Sequence, residues 1–432
     1  MLPDVSIKTD PCQSKGVSVR KLFFWFFLFG VPNLVATTYY VSPTGNDNNP
    51  GSSSAPWATF AHANSIVQPG DTVIAADGTY VEQPYITHGG NSALPVTYKA
   101  QNKWGSVIAP TSTQANARQN AGSGVVFWIT ASYVTVDGFE LAGPSDGTAG
   151  HGFSIESGSD GMSATNTTLT RNKIHHIGTS TKPCVWGGGI TSFSANSLFD
   201  SNYLYDIGAE KVGCAPIVNG MYIDDGNGQT ITNNIFVAMW TDGIWIQSNG
   251  SYDATFPSNL NVSNNTFVNV YDDGIAMRCN YTGPCNNNKF NNNILVNVDT
   301  VPNNGDVIFQ SCGGGGTWGA NNTFDHNLIF SSASTTMCTS SLTNTVTGNP
   351  QFVSNTGDQT GNYNLCGGAG VGASSCSAKS AAIDSATPAG APSHDFDGNG
   401  RPQGGFYDIG AYEFVSVSDT PSAPTGLTAI IN

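Results

Sequence analysis

One short pattern returns six times in this chain and restricts its folding more than any other feature. An Asn stands fourth, with apolar residues on either side, in residues 169–174, 199–204, 231–236, 262–267, 290–295 and 324–329. Asn172, Asn202, Asn234, Asn265, Asn293 and Asn327 therefore recur every 28 to 34 residues. A second pattern interleaves with it: Gly189, Gly220, Gly243, Gly274 and Gly305 each open a short stretch of strand character. Each repeat then holds two or three short strands, the turns between them and one variable loop. Strands this short cannot bury an apolar face alone. Coiling them so that each pairs with its copy in the next repeat solves the problem. An Asn at one fixed turn can then bond to its copies above and below. A propeller would need four longer strands in about 40 residues. Gly, Asn and Asp at the corners suit the left-handed backbone of sharp turns. The pattern specifies an all-β fold, a single-stranded right-handed parallel β-helix, a solenoid with coils of about 30 residues.

Composition narrows function by exclusion. The chain of 432 residues carries 15 Lys+Arg against 30 Asp+Glu, a net charge of −15. A nucleic-acid partner is not expected, because binding one needs basic surface to displace phosphate counterions. Charged residues make up only 10%, which excludes a charged helical bundle, and 22 Phe, 15 Tyr and 8 Trp exclude a disordered chain. Lys15, Arg20 and Lys21 precede an apolar run from Leu22 to Phe29. Residues 1–36 read as a signal peptide with an N-terminal extension, cleaved after Ala36. The run is too short to span a bilayer comfortably. A secreted protein, extracellular or periplasmic, is expected, acting as a monomer with no membrane association after signal removal. Residues 37–415 form the β-helix domain with a C-terminal cap, and 416–432 a linker or the truncated start of a further module. Of nine Cys, Cys12 falls in the removed segment. The remaining eight favour disulfides. Sequence order suggests Cys184–Cys214, Cys279–Cys285, Cys312–Cys338 and Cys366–Cys376, among 105 formal pairings.

Alternation within a strand decides which side chains face out. Ile244 and Ile246 are expected inside, Trp245 and Gln247 outside. Neighbouring coils then present Tyr222 and Asp224, Ala276 and Arg278, and Ile308 and Gln310. Tyr222 and Trp245 would form an exposed aromatic strip for a sugar ring, beside Asp224, Gln247, Arg278 and Gln310. The loops 179–186, 210–218 and 250–258 would wall it. Just ahead of these strands, stacking places Asp242 beside Asp273, with Asp272 adjacent. Carboxylates this close raise each other's pKa, leaving an acid next to a base. Glycosidic hydrolysis needs that pair. The competing reading is structural, since Asp-Gly commonly caps a turn. Asp395, Asp397 and Asn399, with Gly400, resemble a calcium loop, although Phe406 stands at its acidic twelfth position. They are read as a cap for the end of the helix and a second place for structural calcium. His175 and His176 are read as a solvated turn.

Residues 39–51, 69–74 and 78–80 resemble the opening of many secreted β-helix proteins, including calcium-dependent pectate lyases. Residues 381–385, 395–402 and 407–413 resemble a tail found after such helices. Residues 241–243 and 272–277 resemble motifs of polygalacturonases, and β-helix dextranases use a similar aspartate trio. By that resemblance Asp272 or Asp273 is the acid and the remaining aspartates hold water. Asn303 to Gly305 stand where polygalacturonases carry Gly-His-Gly. The same residues also resemble the calcium site of β-helix pectate lyases, with Ala276 in place of the last aspartate and Val307 near the family's lysine. Asp242, Asp272 and Asp273 would then hold Ca²⁺, and Arg278 or Lys211 would take the substrate's α-proton. The resemblance to the pectate lyase/polygalacturonase-like superfamily implies a polysaccharide-degrading enzyme. Hydrolysis without a cofactor comes first, calcium-dependent elimination second, and a non-catalytic carbohydrate-binding surface third.

Overall fold

Apolar residues at alternate positions turn one side of every short strand inward, and stacking makes that side continuous. The computed structural model describes residues 36–415 apart from 121, 157–163, 180–184, 210–216, 225, 248–255, 280–284, 300–305, 311–318, 333–334 and 338–339. Expectations for the signal segment, for the chain past 415, and for Cys184, Cys214, Cys312 and Cys338 lie outside the described residues, as does most of each walling loop. Three parallel sheets run the length of a right-handed β-helix, and each full coil contributes one strand to each. The first sheet has eleven strands, from Thr38–Val41 to Leu342–Thr343. The second runs from Gly78–Tyr80 to Leu328–Phe330. The third runs from Tyr85–Ile86 to Ile308–Gln310. No helix among the described residues is long and apolar enough to cross a membrane. Two of the expected disulfides, Cys279–Cys285 and Cys366–Cys376, are formed.

The recurrent Asn forms the expected ladder between the first and second sheets. Asn172, Asn202, Asn234, Asn265, Asn293 and Asn327 are buried, and each amide donates to the next at 3.0–3.1 Å. The residue ahead of each ladder Asn has a left-handed backbone, with φ between 52° and 59° from Arg171 to His326. Inside, like residues stack on like: Phe236 on Phe267 and Phe290 on Phe324, each with ring centroids 4.6 Å apart. Gly220, Gly243 and Gly274 keep successive coils close. A Cβ on Gly243 would sit 2.5 Å from the carbonyl of Gly274. At the start of the solenoid the helix Phe60–Ile66, capped by Thr59, seals the core with Phe60 against Tyr80, Tyr98, Phe127 and Phe139.

The C-terminal segment corrects one expectation. It packs along the flank of the solenoid, on the outer face of the second sheet, rather than over the end. Tyr203, Ile235, Val237 and Val268 on that face cluster with Tyr363, Phe396 and Ala411. Ile294 and Val296 cluster with Leu365, Ala382 and Ile409. The left-handed Asn residues ahead of the ladder supply the anchors: Asn264 donates to the Asp408 carbonyl and Asn292 to that of Thr387. The tail thus takes up the second sheet. The outer face of the third sheet is where the sequence places its aromatics and acids.

Candidate functional site

Strand pairing fixes two outward rows on the third sheet. Tyr222, Trp245, Ala276 and Phe309 are in register in one row, and Asp224, Gln247 and Arg278 in the next. Ile244, Ile246 and Ile275 point inward and are fully buried, as the alternation predicts. At the start of these strands, Asp242, Asp273 and Asp306 occupy the same turn of three successive coils. Each carboxylate reaches the backbone of the following coil: Asp273 N–H donates to Asp242 Oδ1 at 3.0 Å, and Asp306 N–H to Asp273 Oδ1 at 2.6 Å. Asp272 joins them from the side. One carboxylate oxygen from each of Asp242, Asp272 and Asp273 lies within 4.8 Å of the others.

Burial and crowding set the charges. Asp242 is 2% exposed, and burial, followed by the charges of Asp273 and Asp272, holds its carboxyl well above the usual range. Asp273 is 1% exposed. Burial lifts it to about 6, against the opposing pull of the Asp306 N–H and Arg278. Both carboxyls therefore hold a proton more readily than an ordinary aspartate does. Asp272 is half-buried, the least covered of the three. Arg278 Nη2 donates to Asp273 Oδ2 at 2.9 Å. Its guanidinium carbon lies 4.3 Å from the ring centroid of Trp245 and 4.5 Å from that of Phe309.

Asp242, Asp272 and Asp273 converge as the stacking predicts, but the sequence expectation errs on three of the surrounding groups. Gln310 is 1% exposed and pairs with the inward Met277, so it belongs to the core-facing row. Phe309 takes the outward place. Ile308 pairs with Ile275, one residue off the expected alignment, and a one-residue slip exchanges the two faces. Tyr222 and Asp224 are also buried, and Tyr222 OH donates to Asp224 Oδ2 at 3.1 Å. Tyr222 is thus no exposed platform. Trp245 and Gln247 remain half-exposed, joined by a 3.0 Å bond from the indole N–H. His175 is not a solvated turn: it lies in the strand Lys173–Ile177, buried, bonded to Glu140 at 2.9 Å and stacked on Tyr205.

Two features escaped sequence reasoning. Asp306 extends the aspartate column, and matching it to Asp273 at a spacing of 33 would have found it. Trp240 and Tyr271 form an aromatic pair with ring centroids 5.9 Å apart, two residues ahead of Asp242 and Asp273. Trp240 is 38% exposed, and the pair lines a hollow of about 230 Å³ with Ala238, Met239 and Asn269.

Neither place expected to hold calcium suits it. At the cluster, both oxygens of Asp273 are already bonded, one to a backbone N–H and one to a guanidinium cation. A hard cation needs six to eight oxygens. In the tail, Asp395 is fully buried and spends its carboxylate on the N–H groups of Asp397, Asn399 and Glu413 and on the Asn399 amide. Asn399 points its NH₂, not its oxygen, at Asp395. Asp397 faces Lys103, whose charge opposes the lift that burial gives its carboxyl. This loop is a hydrogen-bonded turn on the flank, which corrects its assignment as an end cap with a calcium place.

Comparison with known proteins gives partial matches. The family model described as Pel9A-like, right handed beta helix region, matches residues 39–185, about a third of the chain, and stops short of the acid cluster. The uncharacterized protein YwoF of Bacillus subtilis (strain 168) is 38% identical over 78 residues, 18% of this chain; the match spans 16% of that protein's length. Among solved structures, pectate lyase Pel9A is 17% identical with a TM-score of 0.47, covering 88% of this chain and 96% of its own. A rhamnogalacturonan lyase is 17% identical, TM-score 0.43, covering 74% and 91%. A glycoside hydrolase is 10% identical, TM-score 0.46, covering 72% and 97%.

Proposed function

We propose that this chain is a secreted polysaccharide-cleaving enzyme that works by hydrolysis at Asp242, Asp272 and Asp273. The observation that carries the reading is the convergence of three carboxylates from two coils within 4.8 Å, at the edge of an outward sheet face bearing aromatics and an arginine. The proton that crowding retains on the cluster passes through Asp272, the least buried member, to the glycosidic oxygen as the bond to the anomeric carbon breaks. Asp273, kept anionic by Arg278, takes a proton from the water whose oxygen bonds to that carbon. Asp242, accepting from the Asp273 N–H, fixes the spacing of the pair. Trp240 and Tyr271 stack against a sugar ring of the chain being cut, and Trp245 and Gln247 line the opposite side. The substrate is a polysaccharide; neither nucleic acid nor membrane is a partner, and the enzyme acts as a monomer. The two disulfides support an oxidising destination outside the cytoplasm.

A second reading has one observation in its favour. The family model matched at residues 39–185 is described as Pel9A-like, and the resemblance of Asp242, Asp272 and Asp273 to the calcium site of β-helix pectate lyases implies elimination on a uronate polymer, which would require Ca²⁺ at the cluster. The bonds made by Asp273 oppose it. Incubating the protein with a panel of neutral and acidic glycans separates the two. Hydrolysis yields new reducing ends with no ultraviolet absorbance and is insensitive to chelator. An unsaturated, ultraviolet-absorbing product that disappears with chelator would overturn hydrolysis in favour of elimination.

A further inference from the structure

We propose that Arg278 is a built-in replacement for a divalent cation: its guanidinium neutralises the aspartate cluster, keeps calcium out, and lets the site work without metal. The last consequence rests on the hydrolytic reading above; the first two stand without it.

Three acidic side chains packed this closely require positive charge nearby, because ionised groups taken out of water must be paired. Metal ions and basic side chains are the two sources. Arg278 meets the requirement by geometry. It bonds Asp273 Oδ2 at 2.9 Å while its side chain is only 31% exposed. Trp245 and Phe309 hold it from two neighbouring coils, with ring centroids 4.3 and 4.5 Å from the guanidinium carbon. The residue between those rings in the outward row is Ala276, whose methyl leaves the rings open to the guanidinium two positions further along. Aromatic faces stabilise a cation that water reaches only in part.

The same contacts spoil the cluster as a metal site. Each Asp273 oxygen already accepts one hydrogen bond, and one oxygen of Asp242 accepts from the Asp273 N–H, which leaves fewer lone pairs for a metal. An entering Ca²⁺ would also face the guanidinium charge at close range. Removing that charge while keeping the acids should therefore create the metal site that the native residue forbids.

Calorimetric titration of the purified full chain with CaCl₂ tests this. Wild type is expected to show no one-to-one calcium site that Asp242→Asn abolishes. Arg278→Gln, which removes the charge and leaves a shorter polar side chain beside the rings, should gain such a site. Its affinity should exceed wild type by about tenfold or more, as expected on losing one adjacent unit charge. The site should vanish in the double variant Arg278→Gln/Asp242→Asn. Arg278→Lys, which keeps the charge, should behave as wild type. A calcium site in wild type that Asp242→Asn removes overturns the proposal. So does a folded Arg278→Gln protein, judged by near-ultraviolet circular dichroism, that gains none. If Arg278→Gln fails to fold, the wild-type and Asp242→Asn titrations together with Arg278→Lys still decide. Glycan cleavage is scored separately. Cleavage in chelator without gain of calcium by Arg278→Gln keeps hydrolysis and sinks the replacement. Gain of calcium with no glycan cleaved does the reverse.

Discussion

Asp273 serves two partners at once, the Asp306 N–H through Oδ1 and Arg278 through Oδ2. Asp273→Asn keeps an acceptor for the N–H but removes the negative charge. Turnover should fall by about 100-fold or more, the usual cost of losing a positioned base. The thermal midpoint should stay close to wild type; a variant that cleaves normally would remove Asp273 from the chemistry. Glu156 behaves differently. It follows the third-sheet strand Ala149–Ile155, with one buried carboxyl oxygen lacking a partner, and burial lifts it to about 7. Below pH 4.5 the carboxyl is protonated whether the chain is folded or not, so it does not affect stability. As pH rises from 4.5 towards 7 the unfolded chain ionises first, and folding loses stability across that window. Glu156→Gln should match wild type in denaturant melts at pH 4. By pH 8 it should be more stable by up to about 3 kcal/mol, less whatever solvent screens. Equal midpoints for the two proteins at pH 8 would refute the shift.

The ladder and the sheets are the part of the molecule most legible in sequence, because one geometry repeats and its residues repeat with it. Asn265 shows why the repeat is specific. Its oxygen accepts from the backbone and side chain of Asn234, and its NH₂ donates to the Ile231 carbonyl and to Asn293. No other side chain of that size accepts and donates in both directions. Asn265→Ala would strand several buried backbone groups, each costing about 1–3 kcal/mol. A loss of about 3–5 kcal/mol in urea unfolding is expected, and a loss under about 1 kcal/mol would show that the ladder is incidental. The convergence of Asp242, Asp272 and Asp273 was legible for the same reason, since it depends only on coil stacking. The row containing Phe309 was not, because Gly305 suggests a register that the strand does not keep: Val307, not a glycine, follows Asp306 where Gly274 follows Asp273. Gln310 changed faces on that one residue. Exposure was hidden too: alternation gives the direction of Tyr222 but not what lies over it.

At the scale of the whole molecule, the tail decides which sheet is left to carry a site. Its docking was invisible in the sequence, because the Asn anchors bond to backbone carbonyls, which any residue supplies. One ion pair holds it together. Arg401 and Glu413 are both fully buried side chains bonded at 2.5 Å, and Arg401 also donates to the carbonyls of His394, Asp408 and Gly410 and to Asn233 on the solenoid. Arg401→Met would leave Glu413 buried without its cation, which typically costs about 3–5 kcal/mol. The tail lies on the outside of the solenoid, on the second sheet and on Asp200, Asn261 and Asn291 of the first, so that cost should appear as local opening rather than global unfolding. Hydrogen exchange should accelerate at amides of residues 394–413. A hydrophobic dye should bind as Tyr203, Ile235, Val237 and Val268 lose their cover. Amides of Ile244–Gln247 and Ile275–Arg278 should exchange as in wild type, and any glycan cleavage should persist, because the third sheet takes no support from this ion pair. Faster exchange across all three sheets at once would mean that tail and coils fold as one unit, and that the flank contributes to holding the acid cluster in place.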